Sequence, residues 1–201
     1  FDLDLLLLRG VDPVSHFFWK YHEPEAAAYT AAQRPSPDEI ERLGDTVQAH
    51  YRWVDELLGR LLTNDSERVV IIVSDHGFEA GAQRFRGGDV LSGTHSTTAA
   101  RDGIFIASGG PIEKGRHIGE ISIYDIAPLA VHLLGIPVSA EFEGRLRTEL
   151  FESEWAEQTP PATIERYEVP VTTLAPDDAA SAVSPVDDKL REELEALGYI
   201  Q

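Results

Sequence analysis

Short apolar runs separated by polar, glycine-rich segments dominate the first two thirds of the chain. Three of these runs have the length and the branched or leucine-rich content of buried strands, namely residues 3–9, 68–74 and 103–108. Two longer segments repeat apolar residues at helical spacing after capping or start signals, namely residues 38–62 and 122–134. Strands that alternate with helices predict an α/β fold with a mainly parallel sheet flanked by helices.

The pattern changes in two places. Residues 79–102 contain four glycines among polar residues, which predicts a long loop. After about residue 150 the chain becomes rich in proline, threonine, serine and aspartate, and only a short acidic amphipathic helix is predicted, at about residues 187–197. We therefore expect one domain over residues 1–150 and a proline-rich, acidic tail over residues 151–201.

Composition and charge narrow the possible partners. The chain has 35 acidic and 17 basic residues, a net charge of −18. Such a surface repels nucleic acid, so no nucleic acid polymer is expected as a partner, and no apolar run reaches the ~18 residues of a membrane span. A site for an anionic substrate would therefore need a local cation such as a bound metal ion. The absence of cysteine excludes disulfides and thiolate chemistry and leaves the cellular compartment open.

The first residues of the chain lead to a separate prediction about the full protein. The chain begins at Phe1, contains no methionine, and enters an apolar run almost at once. A buried strand so close to the first residue suggests that further residues precede it in the full protein. The alternative is a complete small domain whose initiator methionine was removed.

The first chemical motif is Asp12-Pro-Val-Ser-His16. Proline favours the first turn of a helix, and residues four apart lie on the same helical face. If a helix begins at Pro13, Asp12 and His16 can therefore contact one ion. The alternative is an ordinary capping aspartate followed by a packed histidine.

The second motif, Asp75-His76-Gly77, follows the predicted strand at residues 68–74 directly. Glycine permits the tight turn that would let both side chains point away from the sheet. In parallel sheets ligands bind beyond the carboxyl ends of the strands, so Asp75 should approach Asp12, which follows the first predicted strand. A capping aspartate at a strand end is the alternative.

The third motif, Gly93-Thr94-His95, lies shortly before the strand at residues 103–108 and carries little information alone. Together, however, the three motifs offer carboxylates and imidazoles, which are suitable ligands of zinc. The candidate metal ligands are Asp12, His16, Asp75, His76 and His95.

The order of these motifs resembles the metal-binding half of the alkaline phosphatase superfamily, and within it the type I phosphodiesterase/nucleotide pyrophosphatase branch. The resemblance covers roughly residues 3–150. Further matching stretches are Val73–Phe78, Gly103–Ala107, Tyr124–Pro128, Leu133–Pro137 and Glu141–Arg145.

The resemblance implies an alkaline-phosphatase-like fold with two divalent metal ions, preferably Zn²⁺, with Mn²⁺ as the alternative. Asp12, His16 and His95 would hold one ion, and Asp75 and His76 the other. A further aspartate and a Thr or Ser nucleophile would complete the second site, and the family places both before the strand at residues 3–9. The chain would then be the C-terminal part of a catalytic domain, inactive by itself.

The implied activity is hydrolysis of a small phosphate ester. The sequence does not distinguish monoesters, diesters and nucleotide pyrophosphates, and it assigns no substrate-binding residue. Within the superfamily the alternatives are a sulfatase, which needs a modified Cys or Ser, and a phosphoglycerate mutase, which prefers manganese. A non-catalytic metal-binding domain of the same fold is the third possibility.

Overall fold

The computed structural model describes residues 2–62, 67–84 and 90–168. Five α-helices lie in these ranges: α1 (Val11–His22), α2 (Pro37–Leu43), α3 (Thr46–Leu61), α4 (Ile126–Leu133) and α5 (Ser153–Gln158). The strands are β1 (Val70–Val73), β2 (Glu79–Arg84), β3 (Val90–Thr94), β4 (Phe105–Ser108), β5 (Val138–Ser139) and β6 (Thr163–Ile164). None of the helices described is long and apolar enough to cross a membrane.

The strands pair into three small sheets within the described ranges. β1 runs antiparallel to β4, β2 runs antiparallel to β3, and β5 runs parallel to β6. The protein is therefore mixed α/β, which confirms the predicted class at this level. The larger, mainly parallel sheet with alkaline-phosphatase-like topology stays a prediction.

A hydrophobic core lies between the β1–β4 sheet and α4. Its buried residues are Ile112, Leu129, Leu150 and Phe151. One face of the sheet packs against them through Val69, Ile71, Phe105 and Ala107. Burial of each large apolar side chain contributes about 1.5–3 kcal/mol, so this cluster fixes the sheet whose strand β1 leads into the second motif.

The chain continues to contact this core after residue 150. Phe151 pairs with Ile112 in an isolated bridge, and the ring of Trp155 lies 4.6 Å from that of Phe151. β6 then pairs with β5. The expected division at residue 150 stays a prediction, and the helix predicted at about residues 187–197 lies outside the described residues.

Several predicted elements are confirmed with altered bounds. β1 and β4 lie where apolar runs predicted strands. The helix predicted over residues 122–134 begins with a 3₁₀ turn (Ile123–Asp125) capped by Ser122 and continues as α4. The helix predicted over residues 38–62 is divided at Gly44 into α2 and α3.

Two local predictions were wrong. Residues 79–102, predicted as a loop, contain the paired strands β2 and β3. The run at residues 3–9 is not a strand, and the side chains of Leu5 and Leu7 are 88% and 79% exposed. A strand needs a partner for its backbone groups, and this run pairs with no strand among the described residues, however apolar its sequence.

Candidate metal centre

α1 brings the first motif together as predicted. The helix begins at Val11, with Pro13 in its first turn, so Asp12 and His16 lie one turn apart on the same face. Oδ1 of Asp12 lies 3.5 Å from Nε2 of His16. Asp12 therefore reaches the site from the start of a helix and not from the end of a strand.

The imidazole of His16 is buried and held in one orientation. It is 1% exposed, and its Nδ1 lies 2.9 Å from the carbonyl oxygen of Gly93. A carbonyl oxygen only accepts hydrogen bonds, so Nδ1 carries a proton, and in the neutral imidazole Nε2 is then the atom that presents a lone pair towards Asp12. That buried Nε2 has no hydrogen-bond partner among the described residues. An unsatisfied buried acceptor costs about 1–3 kcal/mol, and a metal ion would satisfy it.

The second motif follows β1 at a tight crossing of two chain segments. Ser74 donates its backbone N–H to Ile104, and Gly77 donates to Ala100. A Cβ at Gly103 would lie 1.8 Å from the carbonyl oxygen of Ser74, so only glycine fits there. This close approach fixes the direction in which the chain leaves β1 and hence the position of Asp75 and His76.

His76 faces both carboxylates. Its Nε2 lies 3.7 Å from Oδ1 of Asp75 and 3.9 Å from Oδ1 of Asp12. Its Nδ1 lies 2.9 Å from the carbonyl oxygen of Gly77, which again assigns the proton to Nδ1. The side chain of Asp75 is 61% exposed, so it lies at the open side of the cluster.

His95 follows β3 and completes the group. Its Nε2 lies 3.9 Å from Oδ1 of Asp12, and its ring stacks on that of His76 with centroids 4.0 Å apart. Burial lowers the pKa of His95 below its ordinary value, and the neighbouring His76 and His16 lower it further. The neutral imidazole favoured in this way is the form that binds a metal ion.

The five predicted residues thus lie in one place, around the carboxylate of Asp12. Ligand atoms of Asp12, His16 and His95 all lie within 4.8 Å of one another, which is the set expected to hold one ion. Asp75 and His76 adjoin this set through the contacts of His76. Carboxylate oxygens and imidazoles whose Nε2 atoms lie close to them are a donor set that fits divalent zinc.

Sequence reasoning missed the residues that support His16. The hydroxyl of Ser92 lies between the carbonyl oxygen of His16 and the N–H of Lys20, 3.2 Å from each, and so bridges the backbone of α1 to β3. Tyr29 donates its hydroxyl to the carbonyl oxygen of Ser92, and burial, with the charge of Glu23, raises the pKa of Tyr29 to about 12. These contacts join residues distant in sequence, so no local motif signals them.

We expect Ser92→Ala to weaken zinc binding about tenfold, the lower end of the range for groups that orient metal ligands. Ser139 offers a matched control, because its hydroxyl is equally buried and hydrogen-bonded but donates to Glu165, far along the chain. Both alanine variants should lose about 1 kcal/mol of stability, and only Ser92→Ala should lose zinc affinity. Thermal unfolding and zinc titration measure the two effects. Equal zinc affinities in both variants would contradict a supporting role for Ser92.

The sequence model of one protein family matches this chain. The family is described as type I phosphodiesterase / nucleotide pyrophosphatase, and the match covers residues 1–124, more than half of the chain. The matched segment contains all five clustered residues. Neither the curated proteins nor the solved structures contain a match to the chain.

Proposed function

Because the chain belongs to the type I phosphodiesterase / nucleotide pyrophosphatase family, we propose that its clustered carboxylates and imidazoles bind two zinc ions for the hydrolysis of phosphate esters. Asp12, His16 and His95 would hold one ion, and Asp75 and His76 the other. The observation that carries the proposal is the buried Nε2 of His16, which faces Asp12 while Nδ1 is held by the chain.

Each residue has a part in this centre. The carbonyl oxygens of Gly93 and Gly77 hold the Nδ1 protons of His16 and His76, so that both Nε2 atoms face the carboxylates. The carboxylate of Asp12 lies within 3.9 Å of all three Nε2 atoms and links the two ligand sets. When bound, the ions would supply positive charge that attracts and polarises a phosphate ester in a protein of net charge −18.

Hydrolysis by this family would also need a Thr or Ser hydroxyl as the nucleophile. Two hydroxyls next to ligands in sequence are engaged locally, since Ser15 donates to the carbonyl oxygen of Val11 and Ser74 donates to that of His76. We therefore propose that neither of these two hydroxyls is the nucleophile, and that the Thr or Ser implied by the family is supplied from outside this chain. On this proposal the chain binds the metal ions and the phosphate group but does not turn over an ester by itself.

Metal-dependent anion binding tests the proposal. Titration of the full chain with inorganic phosphate should show binding only after zinc is added, because without a cation the acidic protein repels the anion. Sulfate and manganese serve as matched probes, and bis(p-nitrophenyl) phosphate serves as the ester. If the chain binds zinc but the zinc-loaded chain does not bind phosphate, the result would support a non-catalytic metal-binding domain. Preference for sulfate would support a sulfatase, a need for manganese would support a mutase, and ester turnover would contradict the assignment of the nucleophile.

A further inference from the structure

Phe78 contacts all three histidines of the cluster. It follows Gly77 directly, and its ring centroid lies 4.8 Å from that of His16, 5.6 Å from that of His95 and 6.0 Å from that of His76. The rings of His16 and His95 meet it edge-on, at 77° and 69°. These are favourable aromatic geometries, so one apolar ring packs against three imidazoles.

The ring of Phe78 affects the direction in which the Nε2 atoms of the three histidines point. An imidazole turns easily about its terminal bond, because that torsion has broad energy wells. The Nε2 of His95 points towards Asp12 only in one range of this rotation, and the side chain is 13% exposed, so little water can replace lost contacts. An edge-on neighbour at van der Waals distance narrows that range before any ion is bound.

Phe78 is itself held in place from two sides. Its ring packs against Trp19, with centroids 5.4 Å apart. The backbone at Gly93 approaches it so closely that a Cβ there would lie 2.7 Å from Cε1 of Phe78. The residue whose carbonyl oxygen orients His16 is thus also the residue whose lack of a side chain leaves room for Phe78.

We propose that Phe78 is a positioning residue for the metal centre, whose ring sets the orientation of His16, His76 and His95 in the metal-free chain. The inference rests on the proposed function only in treating these imidazoles as ligands. Without the ring of Phe78, all the ligands are still present, but the ion must itself order the imidazoles. Loss of the ring should therefore weaken metal binding.

Three variants test the proposal in the full chain. Phe78→Leu keeps an apolar side chain without the ring, and its zinc affinity should fall about ten- to hundredfold, as for other groups that orient ligands. The absorption spectrum of bound Co²⁺, which reports ligand geometry, should change with it. Phe78→Tyr keeps the ring and should keep both properties close to wild type. Phe142→Leu, at a half-buried phenylalanine that contacts Tyr167, should lower stability without altering metal binding.

A measurement without metal separates this proposal from the proposed function. Imidazole nitrogen spectra of the metal-free wild type should show a single Nδ1–H tautomer for His16 and His76, and Phe78→Leu should show averaging between tautomers. Unchanged tautomers, or a zinc affinity equal to wild type, would overturn the role of Phe78. If the wild type binds no zinc while the tautomers still respond to Phe78→Leu, the proposed function fails, but Phe78 still sets the orientation of the imidazoles.

Discussion

Asp12→Asn should reduce zinc affinity by more than about a hundredfold, the largest functional change expected of any single substitution here. Removal of a group that only orients a ligand typically lowers metal affinity about 10–100-fold. Removal of a ligand, the role proposed for Asp12, should lower it further. Its Oδ1 lies within 3.9 Å of the Nε2 atoms of His16, His76 and His95, so the ion proposed to bind Asp12, His16 and His95 loses its carboxylate. The amide keeps the shape of the side chain, removes its charge and replaces one acceptor oxygen by an NH2 donor.

Zinc titration against a competing chelator measures this loss. Asp55→Asn, on the exposed surface of α3, makes the same change of charge and should leave the affinity unaltered. Thermal unfolding adds a second readout, because a ligand at a hundred times its Kd stabilises the folded state by about 2.7 kcal/mol. Zinc should therefore raise the Tm of the wild type and of Asp55→Asn but not that of Asp12→Asn. A normal rise in Asp12→Asn would remove Asp12 from the ligand set.

The largest loss of stability should follow Asp125→Ala. Asp125 is 3% exposed and accepts hydrogen bonds from the backbone of Ser122 and Arg145 and from the guanidinium of Arg147, which is also 3% exposed. Removal of the carboxylate breaks three hydrogen bonds to a charged group, each worth about 1.5–3 kcal/mol, and leaves Glu149 as the remaining carboxylate partner of Arg147. Since a domain of this kind is stable by only about 5–15 kcal/mol, the variant should be close to unfolding.

The ion pair of Asp125 and Arg147 also predicts that the free energy of unfolding depends on pH. Burial alone would raise the pKa of Asp125, but the N–H of Arg145 and the guanidinium of Arg147 outweigh it and hold that pKa below its ordinary value. The stabilisation is therefore fully present above the unfolded pKa of about 3.9 and is lost as the pH falls through the lower folded value. Asp125→Ala should lose this acid-dependent part of the unfolding free energy.

Denaturant unfolding at several pH values measures both effects. The exposed pair of Asp45 and Arg52 supplies the control, because surface ion pairs contribute about 0–1 kcal/mol. Asp45→Ala should therefore change stability little at any pH. A loss in Asp125→Ala no greater than that in Asp45→Ala would show that the buried pair does not stabilise the fold.

The sequence predicted the five clustered residues because each motif is local. Asp12 and His16 are joined by one helical turn, and Asp75 and His76 follow a strand whose apolar residues identify it. The reason given for their convergence was only partly right, since Asp12 comes from a helix start. The structure nevertheless brings all five residues together.

What the sequence did not predict depends on contacts between distant segments. β2 (Glu79–Arg84) consists of residues with little preference for strands, and its pairing with β3 places Glu79 opposite Thr94, where Gly81 leaves room for the Thr94 side chain. The leucines at residues 3–9 favour burial, but whether they form a strand depends on a partner. The contacts of Ser92 and Phe78 with α1 likewise arise only in the folded chain.

The hydrogen bonds of His16 and His76 end on the main chain, at the carbonyl oxygens of Gly93 and Gly77. Every residue type has such an oxygen, so a missense substitution cannot delete either acceptor and reaches it only by displacing the backbone. An insertion or deletion of one residue in β3 is different, because successive residues of a strand face opposite sides and the acceptor would be turned away from His16. In β3, a change of length therefore removes the acceptor directly, whereas a substitution does so only where, as at Gly93, a new side chain would displace the backbone.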